Sequence, residues 1–504
     1  MVWGLLVGAG LAGAQSPGRS PEPNPDKCGF PEVWRQWQQA GDQALADFAR
    51  SRQLAEQAGS ELYVSPSGHF QIQFDPQQVP DYDRNGDGVP DFVELAGLAF
   101  DRAWTVEIDS LGFRPPPEPD GGVRDPYPVQ ITPLGSTYGI TFLDEEIPGK
   151  PGLNFSSFIQ VNSNFGFVWW YPDRVSDPIQ RDSMALAVTA AHEFNHALQL
   201  GYRIWNTSQD SANLVLQDLW FIESSATFME EFVADEVNDY YQYLPAIYGR
   251  TDRSLISNLT SNRLYGGSLF DILLSEVYGP VFLRQIWEQI EQEPAVHAME
   301  TELEQQGSSL EEELTRLAVW MYFSGSRAIP GRFFPEAENY PTLNVQELGI
   351  PPRDAPSVLT SSLLPPLSFL IVHTVLEPGF SAVFRLEPND QAEHWSGSLI
   401  SDQSDLLKFP ANFNYRLPDV PLPNPVPLAI ISGFWSDNGG SASIAFNLSG
   451  QSVSAVQGPD ILVYPNPLRP ADQVQQIAFL NLPPGARIDI LTASGKHLCQ
   501  LAPG

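Results

Sequence analysis

The chain has 504 residues, enough by length for about three domains and at least one large core. Acids outnumber bases 61 to 27, a net charge of −34, which repels phosphate backbones and anionic membranes and excludes nucleic acid as an expected partner. At 42% hydrophobic the chain is too apolar to be disordered, its 39 Gly and 46 Pro favour turns and β structure, and two cysteines cannot build a disulfide framework.

Residues 2–14, VWGLLVGAGLAGA, are apolar and close on Ala12-Gly13-Ala14. They read as a signal peptide over 1–14 that lacks a basic n-region, with a buried N-terminal strand as the alternative. No later stretch of about 18 uncharged apolar residues occurs, so no membrane span is expected. Residues 16–26 form a Pro-rich linker. From Glu32 to about Gly59, with Trp34, Trp37, Leu45 and Phe48, the spacing predicts one amphipathic helix, and 15–59 is a candidate propeptide. Between linker and helix, Pro25-Asp26-Lys27-Cys28-Gly29-Phe30-Pro31 resembles the cysteine-switch motif of matrixins, with one extra residue before the cysteine. That resemblance implies a Cys28 thiolate capping a zinc ion, and Lys27 would favour the thiolate. A free thiol and a disulfide to Cys499 remain open alternatives.

His69 to Phe74 alternates like a half-buried strand. Asp83, Asn85, Asp87, Gly88, Val89, Asp91 and Glu94 then follow the spacing of a calcium loop. Oxygen ligands would come from Asp83, Asn85, Asp87, the Val89 carbonyl, Asp91 and bidentate Glu94. Pro80 bars an entering helix, so a structural calcium clip is expected and not a sensor. Further strands are expected at 129–132, 138–143 and 157–161. Ser157–Val161 is read as the edge along which substrate lies.

Helical patterns dominate 182–323, with a capping box at Ser309 and Glu312. Within them, Ala191-His192-Glu193-Phe194-Asn195-His196 is HExxH on a stretch without Pro or internal Gly. At i and i+4 both imidazoles share a helical face and can hold one zinc, with Glu193 beside the open position as general base. Glu223, in Trp220-Phe-Ile-Glu223-Ser-Ser-Ala, resembles the third ligand of gluzincin metallopeptidases, with Glu230 or Glu231 next in line. In thermolysin-like enzymes an acid four residues further on supports a zinc histidine; Thr227 holds that position here. Tyr265, in Tyr265-Gly-Gly, is similar to the tyrosine that gluzincin aminopeptidases aim at the oxyanion.

After about Pro351, segments 368–373, 380–386, 428–434 and 441–448 read as strands of an all-β sandwich. A last unit from Ile461-Leu-Val-Tyr-Pro-Asn-Pro467 resembles the immunoglobulin-like C-terminal modules of secreted bacterial proteins, cut short at Gly504.

Together, SGHFQIQF, NGDGVPDFVE, HEFNH and WFIESSAT resemble a family of secreted bacterial metallopeptidases over about residues 60–330. The expected fold is α+β. A zincin-like domain over 60–345, with a mixed sheet, the HExxH helix and a helical C-terminal subdomain, precedes a β-sandwich over 346–450 and a truncated module over 451–504. The implied protein is a secreted or cell-surface zinc endopeptidase acting on proteins or peptides, with structural calcium. Its C-terminal module would contact the cell surface or secretion machinery. The alternative is an inactive, calcium-stabilised binding or structural protein on the same fold.

Overall fold

The single helix expected over 32–59 is two. Helix α1 (Phe30–Ala40) carries Pro31 in its first turn and stops at Gly41, whose φ of +54° suits a residue without Cβ. The Gly41 N–H bonds Trp37 O, and α2 (Asp42–Gln57) restarts at once. The computed structural model describes residues 27–57, 60–150, 153–168, 175–204, 218–255 and 261–348, followed by 357–360, 365–376 and the later strands. The signal-peptide and linker readings fall on residues outside these.

The described chain is mixed α+β. Strands β1 (Glu61–Val64) and β2 (Phe70–Phe74) form a hairpin, and β2 buries Phe70, Ile72 and Phe74 on one face, as alternation requires. Helix α3 (Asp91–Trp104) leads through a π-helical turn at Thr105–Ser110 to β3 (Tyr127–Thr132), β4 (Gly139–Glu146) and β5 (Phe155–Asn162). The sheet order is β1-β2-β3-β5-β4, with β2, β3 and β5 parallel and the two outer strands antiparallel to their neighbours. This order corrects the edge expected at Ser157–Val161. That segment belongs to β5, which is interior and wholly buried, and β4 is the edge. The polar residues of β5 are satisfied inside the sheet layer: Ser157 Oγ lies 2.8 Å from Tyr127 Oη, and Gln160 Nε2 donates to Gln130 Oε1 at 3.0 Å.

Helix α4 (Pro178–Gln199) begins at Asp177, whose carboxylate accepts from Ile179 N at 3.1 Å, with Pro178 pre-set for the first turn. It runs unbroken for 22 residues and packs on β4, β5 and α3. Helix α5 (Leu219–Val233) packs against it, as the hydrophobic pattern of both predicts. Six shorter helices follow: α6 (Leu244–Tyr248), α7 (Ser261–Gly266), α8 (Ser268–Tyr278), α9 (Val281–Gln289), α10 (Ala295–Gln305) and α11 (Leu310–Tyr322). Ser309 caps α11 by accepting from Glu312 N at 3.4 Å. Among the described residues no helix is long and apolar enough to cross a membrane.

The described elements that follow are strands: β6 (Gln346–Leu348), β7 (Ser357–Thr360), β8 (Ser368–Leu376), β9 (Phe380–Pro388), β10 (His394–Ser401), β11 (Leu406–Pro410), β12 (Phe413–Arg416), β13 (Val426–Trp435) and β14 (Ile444–Ser452). They form a five-stranded sheet β11-β10-β13-β8-β6 and a four-stranded sheet β12-β9-β14-β7. Helix α11 lies against β13, β10 and β8, and Leu255 N and Phe369 N bond across to Leu367 O and Thr251 O. Strands β15 (Leu462–Tyr464) and β16 (Ala478–Leu480) pair antiparallel, as do β17 (Ile488–Leu491) and β18 (His497–Leu501).

Candidate metal centre

Three stretches far apart in sequence meet over the middle of α4. Among the described residues, the ligand atoms of Cys28, His192, His196 and Glu223 lie within 4.8 Å of one another, all buried. His192 Nε2 and His196 Nε2 are 3.1 Å apart; Glu223 Oε2 is 3.4 Å from the first and Oε1 3.7 Å from the second; Cys28 Sγ is 3.3 Å from His196 Nε2. Tetrahedral zinc with its usual bonds to N, O and S separates neighbouring ligands by roughly 3.3–3.7 Å, close to these four separations, so the group could hold a metal ion.

Hydrogen bonding fits it as well. His192 Nδ1 is 2.6 Å from Glu230 Oε1 and His196 Nδ1 is 2.8 Å from Gln199 Oε1, which leaves both Nε2 lone pairs facing the centre. Neither oxygen of the buried Glu223 meets a donor in good hydrogen-bond geometry; the nearest nitrogens are the two imidazole Nε2 atoms at 3.4 and 3.7 Å. Two orphaned carboxylate oxygens in a protein core call for a cation. Burial alone would lower the His192 pKa, yet Glu223 and Glu230 raise it to about 10. Burial and the neighbouring His192 hold His196 well below its ordinary value.

Glu193 stands beside this four-residue set without belonging to it, and shares a side-chain hydrogen bond with Cys28. Its carboxylate accepts from Thr141 Oγ1 at 2.7 Å, and burial raises its pKa to about 7, against His192 and Thr141, which lower it. A base poised near neutrality is what proton transfer needs. Strand β4 approaches closely enough that a Cβ on Gly139 would meet Glu193 Cγ at 2.6 Å, so only glycine fits there. Tyr265 is buried beside the centre, its ring centroid 5.9 Å from that of His192, and its hydroxyl accepts from Cys28 N at 3.2 Å.

The segment 27–30 fills the remaining side. Cys28 bridges Gly139 in parallel register, Tyr138 N donates to Lys27 O, and Gly29 N donates to Gly139 O, both at 3.0 Å. Phe30 stacks on His196 with ring centroids 4.7 Å apart. A Cβ on Gly29 would collide with Ile140 at 2.5 Å. Cys28 is a free thiol, so the disulfide to Cys499 is not formed. The expected help from Lys27 is not there either. Burial, with Glu193 and Glu223, pushes the Cys28 thiol well above its usual range, and Lys27 turns away to pair with Glu230 and Asp239. A bound cation is therefore the group that would make a thiolate of Cys28.

Thr227 supports no histidine, and its hydroxyl has no partner. Glu230, expected only as a substitute ligand, provides that support from two turns beyond Glu223 on the same helix face. Glu231 lies away from the centre; burial and the nearby Glu336 and Asp235 raise its pKa to about 9. Gln199 and Thr141 are further partners that the sequence reading lacked; Gln199 stands three residues after His196, a spacing that signals a shared helix face.

The loop 83–94 is a different kind of place. Asp83 accepts from Gly86 N and Gly88 N, Asn85 from Asp87 N, Asp87 from Val89 N, and Asp91 from Arg84 N. The Asn85 amide donates to Asp87 and to both oxygens of Glu94. Burial and then Asp87 raise the Glu94 pKa. No protein-family model matches the chain, and no curated protein matches its sequence.

Proposed function

We propose that this chain is a zinc-dependent peptidase of gluzincin type, produced as a latent precursor whose own Cys28 closes the metal centre. The carrying observation is the convergence of Cys28, His192, His196 and Glu223 around one point, with Glu193 beside it and free of ligation. Zinc bound there would polarise a peptide carbonyl and acidify a water. The protein's own residues do the rest. Glu230 and Gln199 fix the two imidazoles. Thr141 aims the Glu193 carboxylate, which takes the proton from the attacking water and delivers it to the leaving amine. Tyr265, released from Cys28 N when the segment withdraws, donates to the developing oxyanion. Substrate adds to the β4 edge, where residues 27–29 now pair.

The same reading takes 15–59 as the propeptide, 60–345 as a zincin-like domain, the two larger C-terminal sheets as a sandwich, and 83–94 as a calcium clip. It places the protein outside the cell or on its surface. One observation favours a second reading. All four ligand positions are filled by protein, as in a structural zinc site. Against it stands Glu193, a buried carboxylate that ligates nothing. Zinc content together with casein hydrolysis, before and after treatment with a thiol-reactive mercurial, separates the two. Zinc bound with hydrolysis appearing on activation supports the peptidase; zinc bound with no hydrolysis under either condition supports the structural site.

A further inference from the structure

Lys27 is 1% exposed, and its ammonium is ion-paired with both Glu230 and Asp239, themselves buried. The rings of Tyr138 and Tyr243 stand 5.4 and 5.2 Å from the same nitrogen. A cage of two carboxylates and two aromatic faces is a cation receptor by its chemistry. Its place in the groove is as informative as its lining. Residues 27–29 pair with β4 as an added strand, with Cys28 at the metal centre, so Lys27 occupies the position next to the one where a peptide would be cut.

We propose that this cage is a substrate subsite for a lysine side chain flanking the scissile bond, kept filled by Lys27 in the precursor. The inference rests on the peptidase reading above. When residues 27–29 leave, Glu230 and Asp239 lose the ammonium they share and keep only His192 Nδ1 and Gln242 Nε2 as partners, a state that favours refilling. A compact ammonium on a four-carbon stem reproduces the contacts of Lys27, whereas the wider planar guanidinium of arginine does not. Glu230 carries a second contact, to His192 Nδ1, so an occupied cage also steadies a metal ligand. The same segment thus blocks the site twice: its thiol takes the catalytic position and its ammonium takes the specificity pocket.

The test uses full-length protein activated by a mercurial and peptides that differ only in lysine, arginine or norleucine at the residues flanking the cut. At one flanking position, lysine should raise kcat/KM over norleucine by about tenfold or more, and D239N should bring that ratio close to one. Cleavage without preference for lysine overturns the subsite and leaves the peptidase reading standing. Absence of all cleavage overturns the peptidase reading, and the cage is then decided by binding. Full-chain K27A titrated with n-butylammonium should show a saturable rise in Tm, absent from wild type, whose cage is filled, and from K27A/D239N. No rise in a folded K27A overturns the ammonium site. If K27A does not fold, the peptide comparison on wild type decides alone.

Discussion

The candidate metal centre over α4 and the acidic loop 83–94 both gather carboxylates, yet they settle their charge in opposite ways. In the centre, side chains fix the imidazole Nδ1 atoms, and the Glu223 oxygens face only the two Nε2 atoms, at 3.4 and 3.7 Å. In the loop, backbone N–H groups and the Asn85 amide already serve Asp83, Asp87, Asp91 and Glu94. A buried set of orphaned acceptors needs its cation to be stable, whereas an exposed and internally bonded turn can persist without one. Metal removal should therefore disable the first region and only soften the second.

The largest effects are expected in the centre. H192A and E223A should lose stoichiometric zinc and all hydrolysis, measured by elemental analysis and casein digestion. E193A should keep zinc and fold while activity falls by about 10²–10⁴-fold. Full zinc affinity in E223A would move the third ligand elsewhere. C28S comes next. The precursor should hydrolyse casein without an activator, because the serine hydroxyl is a far weaker ligand than a thiolate. A C28S precursor as silent as wild type would end the latency account. E230Q should then weaken zinc binding by about 10–100-fold while leaving the ligands in place, read by competition with a chromogenic chelator.

Smaller shifts sharpen the contrast from the loop side. A calcium-selective chelator should lower Tm without releasing zinc; saturating calcium at 100 times Kd would be worth about 2.7 kcal/mol. An unchanged Tm would identify 83–94 as an ordinary acidic turn. Asp271 provides a metal-free control for buried carboxylates. Its carboxylate is fully buried beside Ser224, and burial pushes its pKa up to about 8 from 3.8, against the Ser224 hydroxyl, which lowers it. The raised folded value means that its contribution to stability is present below about pH 4 and is lost as pH rises through 8. D271N should accordingly raise Tm more at pH 8.5 than at pH 5, by about 2–4 °C for each kcal/mol regained. Equal changes at both pH values would contradict the assignment.

Much of the centre is legible in the sequence because helical spacing is local. His192, His196 and Glu193 share about one turn of α4, whereas Glu223 is reached only through the resemblance of its segment to a gluzincin helix. Strands β2, β8, β9, β13 and β14 likewise announce themselves by apolar alternation or runs between turn residues. What is not legible depends on packing between distant segments. Glu230 and Asp239 stand 203 and 212 residues from Lys27, and no local pattern pairs them. Gly139 and Thr141 matter only because β4 lies against α4, and β4 becomes the edge through a strand order that alternation does not encode. Gly41 could be read as a helix stop, since glycine favours the left-handed turn that ends α1, but the surrounding apolar periodicity masks it.

The most direct measurement is zinc X-ray absorption on the purified full-length precursor. The account expects one sulfur scatterer at about 2.3 Å and three nitrogen or oxygen scatterers near about 2.0 Å, with the sulfur lost in C28S. A first shell of nitrogen and oxygen alone in the wild-type precursor would contradict closure of the metal centre by Cys28.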